Sequence, residues 1–341
     1  MFADFAGTSA SRAPLYSRMA AGIADDEQLA ALLLHAPSEQ RQPVLLFACI
    51  HALLLAGRDG DLAAHYPNLT ANPDDSDPLP ALRRFCELHE ANLTAMLASR
   101  HTQTNEVGRC ALLLPVFGLL AAEVGPLAHL DVGASAGLNL LLDRYHYRYD
   151  PGGSFGSESP VELKCGTRGA VPIPTAMPVI TTRMGIDRRP VDLGDATEVR
   201  WLQACVWPDQ TDRFERLRAA LEMARAAGIA VRPGDAVTDT APLAESIAAS
   251  GHPVVTNTWV LNYLSPAERQ AYVDALDELG TRLDLSWIYL ESPYLTPELP
   301  GPRGDPASDR TALVLVRWRG GRRTVDHLAD THPHGYWMHW Q

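Results

Sequence analysis

The sequence predicts an α/β fold: a mostly parallel sheet, closed by a C-terminal antiparallel hairpin and preceded by a helical region. Three observations carry this. Beyond residue 126, short apolar runs alternate with amphipathic helical stretches, the pattern of a parallel sheet covered on both faces. The first run, 127–132, ends in Asp131-Val132 and opens into the small-residue turn Gly133-Ala134-Ser135-Ala136-Gly137. Near the end, 311–318 and 324–328 flank Arg319-Gly320-Gly321-Arg322, a hairpin signal.

The elements follow in order. In the first 125 residues, 29–35, 44–55, 81–98 and 107–124 carry apolar residues at three- and four-residue spacing, and strand signals are scarce. Residues 1–125 therefore read as a helical cap, and 126–341 as the α/β domain. The stretch 66–80, rich in Pro, Asn and Asp, reads as a loop. After the turn, 138–144 is apolar and helical. The irregular segment at about 145–178 reads as an insertion that could serve as a lid. Strands are expected at 179–186, 229–232, from 253, and at 285–290. Helices are expected at 213–227, closed by Gly228, at 242–249, and at 266–279 with Ser265 as N-cap. The Pro-rich stretch 293–309 reads as a loop.

Composition narrows the function classes. The 341 residues carry a net charge of −12, which argues against a general nucleic-acid binder. The five cysteines form no CxxC pair, and reduced, buried thiols in a cytoplasmic protein fit them best. No apolar run is expected to reach the ~18 residues of a membrane span. A small-molecule partner fits this composition better than nucleic acid or membrane. Oligomeric state is not written in the sequence.

A strand, a small-residue turn and a helix start make a ligand site, because the backbone can be approached closely and helix-start amides are unpaired. The dinucleotide pattern GxGxxG fails, for Ser135 and Leu138 stand where it needs glycine, and there is no Walker A lysine. The same five residues are formally G-x-S-x-G, a nucleophile elbow with Ser135 as nucleophile and His327, His332 and His334 downstream. Against a hydrolase, helices rather than an oxyanion-loop strand precede 127.

The segment Leu130-Asp131-Val132-Gly133-Ala134-Ser135-Ala136-Gly137-Leu138-Asn139 resembles the binding motif of class I S-adenosylmethionine (SAM)-dependent methyltransferases, with their Rossmann-like sheet. Met184-Gly185-Ile186-Asp187 resembles that family's second strand and ribose-binding acid, and Pro233-Gly234-Asp235-Ala236 its adenine-contacting segment. The resemblance implies SAM as cofactor. Asp131, Gly133, Ala134, Ser135 and Gly137 would hold the methionine portion, Asp187 the ribose and Asp235 the adenine. Asn257, Trp259 and Tyr263 would follow the fourth strand at the transfer site. Asp150 has the more usual spacing for the ribose acid, but 184–187 reads better as a strand end. No N/D-P-P-Y segment defines the accepting atom.

The whole chain also resembles the bacterial DUF2332 family, through Thr104-Asn105-Glu106 with Arg109-Cys110, residues 130–145, Gly185-Ile186-Asp187 with Pro190 and Asp192, Trp201-Leu202, Val206-Trp207-Pro208 and Gly234-Asp235. Glu106 and Arg109, just before an apolar helix, are read either as helix caps or as groups facing cofactor or acceptor. His334, in a C-terminal run of histidines and aromatics, is a candidate general base, as is Glu106. Most tryptophans are expected in the core, with Trp259 in a pocket. The alternating Tyr145, Tyr147 and Tyr149 read as packing. No metal is expected. Methyl transfer to a small or medium-sized acceptor is the leading expectation, and a SAM-binding sensor without transferase activity is the alternative beside the hydrolase.

Overall fold

The computed structural model describes residues 1–57, 60–295 and 310–341. Its helices are α1 (Phe2–Ser9), α2 (Pro14–Ala24), α3 (Glu27–Ala31), α4 (Pro43–Leu55), α5 (Leu79–Leu88), α6 (Glu90–Ser99), α7 (Cys110–Val124), α8 (Ala196–Ala204), α9 (Thr211–Ala226), α10 (Ala236–Ile247) and α11 (Pro266–Gly280). Its strands are β1 (Leu127–Val132), β2 (His146–Asp150), β3 (Gly153–Phe155), β4 (Glu162–Arg168), β5 (Ile180–Asp187), β6 (Val231–Pro233), β7 (His252–Thr258), β8 (Leu285–Glu291), β9 (Thr311–Arg319), β10 (Arg322–Thr331) and β11 (Trp337–Trp340).

The chain forms two units, Met1–Thr104 with Leu193–Arg218, and Asn105–Asp192 with Ala219–Gln341. Residues 105–125 thus go with the sheet, and 193–218 with the N-terminal helices. The first unit is all helical. Apolar faces of α1, α2, α4, α5, α6 and α8 enclose one core around Tyr16, Phe47 and Leu82. Neither α1 nor α2 was expected from periodicity.

The second unit holds one sheet of eleven strands, in the order β3-β2-β4-β11-β10-β9-β8-β7-β1-β5-β6. From β6 through β5, β1 and β7 to β8, all pairings are parallel. β9 then runs antiparallel to β8, and β10 antiparallel to β9, which gives the expected hairpin. Gly320 and Gly321 turn it with φ of 55° and 75°, the left-handed pair a two-residue hairpin turn requires. Side chains alternate across β1. Ala128, Leu130 and Val132 pack with Tyr272 and Leu276 of α11 and Ala244 of α10 on one face. On the other, His129 meets Phe117 of α7 edge-on at 4.9 Å.

Several local expectations hold. Ser265 caps α11 through a full capping box with Glu268. Gly228 ends the turn after α9 with φ 65°. Two expectations change. The helix expected at 242–249 begins earlier, at Ala236, because Asp235 accepts the amides of Val237 and Thr238 and fixes its start. The segment 145–178 is built into β2, β3 and β4, which join the sheet through β11. There Tyr145, Tyr147 and Tyr149 are buried, and their hydroxyls donate to the carbonyls of Leu138, Leu142 and Ala111. The Pro-rich loop lies mostly outside the described residues.

The cysteines are free and all but Cys205 are buried. Burial raises the Cys86 and Cys165 thiols to about 12, so both stay protonated. Contrary to expectation, one helical stretch, Val107–Val124, is long and apolar enough to cross a membrane, yet 67% of it is buried inside the fold. Here it is the core helix beneath the sheet.

Candidate functional site

The parallel core runs third, second, first, fourth, fifth in chain order, so β1 is followed on one side by β5 and on the other by β7. Loops leaving β1 and β7 diverge at this switch point and open a crevice at their C-terminal ends. The turn after β1 lies there. Gly133, Ser135 and Gly137 all take left-handed φ, of 74°, 54° and 74°. Gly133 also has no room for a side chain, since a Cβ would stand 2.3 Å from Val260 Cγ2. Gly133→Val would therefore displace Val260.

The turn is not followed by an α-helix. Leu138–Arg144 is a kinked 3-10 segment. The reason is competition for its carbonyls. Tyr145 donates to Leu138 O, Arg183 to Leu140 O and Tyr147 to Leu142 O, so the α-helical ladder does not form. The turn amides have partners too. Those of Gly133 and Ala134 donate to Ile186 O, and that of Gly137 to Ala134 O. Asn105 Oδ1 accepts from Ala136 and, at 3.5 Å, from Leu138. The expected row of unpaired helix-start amides is replaced by a turn held rigid from within.

The acids behave differently from one another. Asp187, at the end of β5, accepts the Ser135 amide on Oδ2 and the Arg189 amide on Oδ1, both at 2.8 Å. It therefore sits directly against the turn. Asp150 does not, for β2 is separated from β1 by six strands. Asp235 caps α10 with one oxygen and takes Arg188 Nε and Nη2 on the other, at 3.0 and 2.9 Å. Arg188 also reaches Glu268. These bonds hold the Asp235 carboxyl below its ordinary range against the cost of burial.

Between these flanks, charge is buried. Asp131 Oδ1 accepts from Thr256 at 2.7 Å, Oδ2 makes no hydrogen bond of good geometry among the described residues, and the Asn139 side chain also favours the ionised form. Burial pushes this carboxyl up to about 7. Glu291, at the end of β8, repeats the arrangement. Its Oε1 accepts from Asn257 Nδ2 and from the amides of Val260 and Leu261, at 2.8, 2.7 and 3.1 Å. Its Oε2 has no partner among the described residues, and burial again raises it to about 7. Arg109 lies in the field of both and opposes the shift. Its guanidinium donates to Thr258 O and Oγ1 and to Pro333 O. It thereby joins the start of α7, the end of β7 and the turn after β10.

Next to Arg109, Glu106 Oε1 accepts the Gly108 amide, and Oε2 lies 3.3 Å from His334 Nδ1. Glu106 is thus a cap and a partner of His334 at once. The His334 side chain is 27% exposed and that of Glu106 3%. Backbones meet here: a Cβ on Gly335 would stand 2.1 Å from Gly108 O. Asn257 is fully buried, with Oδ1 accepting from Trp287 Nε1 and Tyr272, so its amide is spent inside the core holding Glu291. Trp259 has φ 59°, and its Nε1 has no partner among the described residues. Tyr263 is exposed.

The structure thus places Asp131, the turn, Asp187, Arg109, Glu106, His334 and Trp259 at the C-terminal ends of the parallel strands or in contact with the loops that follow them. Asp235 and Tyr263 lie at the margins of this region. Sequence reasoning missed Glu291, although its signal, an acid closing an apolar strand, is the one that singled out Asp131. It also missed the Asn105 carboxamide and Arg188, which act through partners far away in sequence. No group of three His, Cys, Asp or Glu side chains suited to a metal occurs among the described residues.

No curated protein and no solved structure matches the chain. A family model described as an uncharacterized protein conserved in bacteria matches residues 1–340. Covered in this way over its whole length, the chain belongs to the DUF2332 family.

Proposed function

We propose that this protein binds S-adenosylmethionine in the crevice beyond β1 and β5 and transfers its methyl group to a small or medium-sized molecule. The observation that carries the reading is Asp187. Its two oxygens each accept one backbone amide, which fixes the carboxylate beside the Gly133–Gly137 turn. A carboxylate has about four acceptor positions, so two remain, the number a ribose diol requires. Asp131 Oδ2 adds a buried acceptor below the turn for the methionine portion. Asp235 fits less well, because Arg188 and the α10 amides occupy it. The adenine is therefore not assigned to that carboxylate.

When bound, the cofactor supplies an activated methyl group. The protein's part is alignment, water exclusion and removal of the acceptor proton. His334, oriented by Glu106 at 3.3 Å, serves as that base. A hydrolase reading has less support: Ser135 has the left-handed φ of an elbow, but its Oγ has no hydrogen-bond partner among the described residues, so no base activates it.

Calorimetric titration with SAM and with its demethylated product tests this. We expect one saturable site per chain, weakened at least tenfold in Asp187→Ala. If neither compound binds, the cofactor assignment is wrong, and a serine-directed phosphonate labelling Ser135 would favour the hydrolase. Binding without labelled-methyl transfer to a metabolite extract would favour a sensor.

A further inference from the structure

β10 is antiparallel to β9, and β9 to β8, so β10 runs in the same direction as β8, β7 and β1. Loops after β7, β8 and β10 therefore leave the sheet along the edge that holds the crevice. Soluble folds bury most aromatic surface, so where they leave it exposed is informative. Among the described residues, the tyrosine, tryptophan and phenylalanine side chains exposed by 36% or more are Tyr263 (70%), Tyr294 (57%), Tyr336 (44%) and Trp337 (36%). All four follow β7, β8 or β10, on this one edge; Tyr336 and Trp337 also pack against the His332 ring, at 4.7 and 6.2 Å, so Tyr263 and Tyr294 carry the freer faces. At the end of β8 and in the loop after β7 stand two buried polar atoms with no hydrogen-bond partner among the described residues, the acceptor Glu291 Oε2 and the donor Trp259 Nε1. Arg109 ties the floor to the rim through Thr258 and Pro333.

From this juxtaposition we infer that the acceptor is a small aromatic molecule bearing a hydroxyl or amino group, a phenol or an arylamine. The exposed rings supply flat apolar surface for stacking its face. The buried Glu291 Oε2 takes a hydrogen bond from its hydroxyl or amine, and an aliphatic acceptor would leave the rim unused. The inference rests on the methyl-transfer reading for its role, but the binding it claims does not.

The test is saturation-transfer NMR titration of the full chain with p-cresol, toluene and 4-methylcyclohexanol, with and without SAM. We expect p-cresol to bind at least tenfold tighter than either analogue. Tyr263→Ala and Tyr294→Ala, both at exposed positions, should each weaken it by about two- to tenfold. The inference is overturned if p-cresol binds no better than 4-methylcyclohexanol, or binds equally well to the double variant. It is also overturned if the rim instead joins two copies of the chain, seen as a sedimenting dimer that the double variant dissociates while p-cresol binding is unchanged. Phenol binding without SAM binding would fault the cofactor reading alone. SAM binding without phenol binding would fault this inference alone.

Discussion

The helical unit and the crevice of the sheet unit have opposite interiors. In the first, Tyr16 stacks on Phe47 at 4.6 Å inside an apolar cluster. Its buried His51 is kept neutral, its pKa lowered to about 4 by burial, with Ala204 O and Asn68 on its two nitrogens. In the second, Asp131, Glu291, Arg109 and Glu106 are buried together, and Asp131 and Glu291 each keep an oxygen with no hydrogen bond of good geometry among the described residues. Burying charge costs stability that apolar packing would supply. The contrast agrees with the proposal that puts the chemistry in the sheet unit and leaves the helical unit to packing. Phe47→Ala should break it most visibly. It should cost about 3–5 kcal/mol in urea unfolding while leaving cofactor affinity of the folded protein unchanged. A loss of affinity at full folding would show that the helical core is part of the site.

Glu291→Gln sharpens the comparison from the other side. The carboxyl is raised from 4.5 to about 7 in the folded state. Its contribution to stability is therefore fully present below about pH 4.5 and is lost as pH rises through 7. The glutamine keeps an acceptor for Asn257, Val260 and Leu261 and does not titrate. The stability of the variant minus that of the parent should thus grow by on the order of 3 kcal/mol between pH 4.5 and 8. Taking the difference matters. His51, His129 and His252 have lowered values and push the other way below about pH 6.5, and Asp131 titrates near 7, but all four are present in both proteins. A difference that stays flat with pH would mean that Glu291 is ionised in the folded protein throughout.

How much of this was legible in the sequence depends on how local each feature is. Parallel strands announced themselves as apolar runs, the hairpin by Gly320-Gly321, and the start of α11 by Ser265. The place of β2, β3 and β4 at the far end of the sheet was not legible, because it depends on pairing with β11, about 170 residues away in sequence. Nor was the 3-10 segment after the turn, since Arg183 and two tyrosines outside it take its carbonyls. The site was half legible. Asp187 and the glycines form a local pattern. Glu291 carried the same pattern as Asp131 and was passed over because the resemblance assigned it no role.

A smaller effect is expected where the last turn meets the start of α7. Gly335 has φ 78°, and its side-chain position is filled by Gly108 O. Gly335→Ala should cost about 1–3 kcal/mol and should separate His334 from Glu106. If His334 is the base, turnover in the variant should fall further than stability does, and raising the pH should restore part of it. Equal losses of both would reduce this turn to scaffolding.

The smallest effect belongs to the insertion, the part of the sheet unit that resembles the helical core in having its polar groups satisfied. Tyr149 is buried on β2, and its hydroxyl donates to Ala111 O of α7 at 2.9 Å. Tyr149→Phe removes one hydrogen bond and leaves the ring in place, so it should cost about 1–2 kcal/mol in urea unfolding with no change in cofactor or p-cresol affinity. Pro115, four residues on, has no N–H to offer the Ala111 carbonyl, so the variant leaves that oxygen without its α-helical donor and the loss exceeds that of an ordinary exposed hydrogen bond. A shift in ligand affinity would mean that β2 and α7 transmit their packing to Arg109, one residue before α7 begins, and would extend the functional region into the helix that supports it.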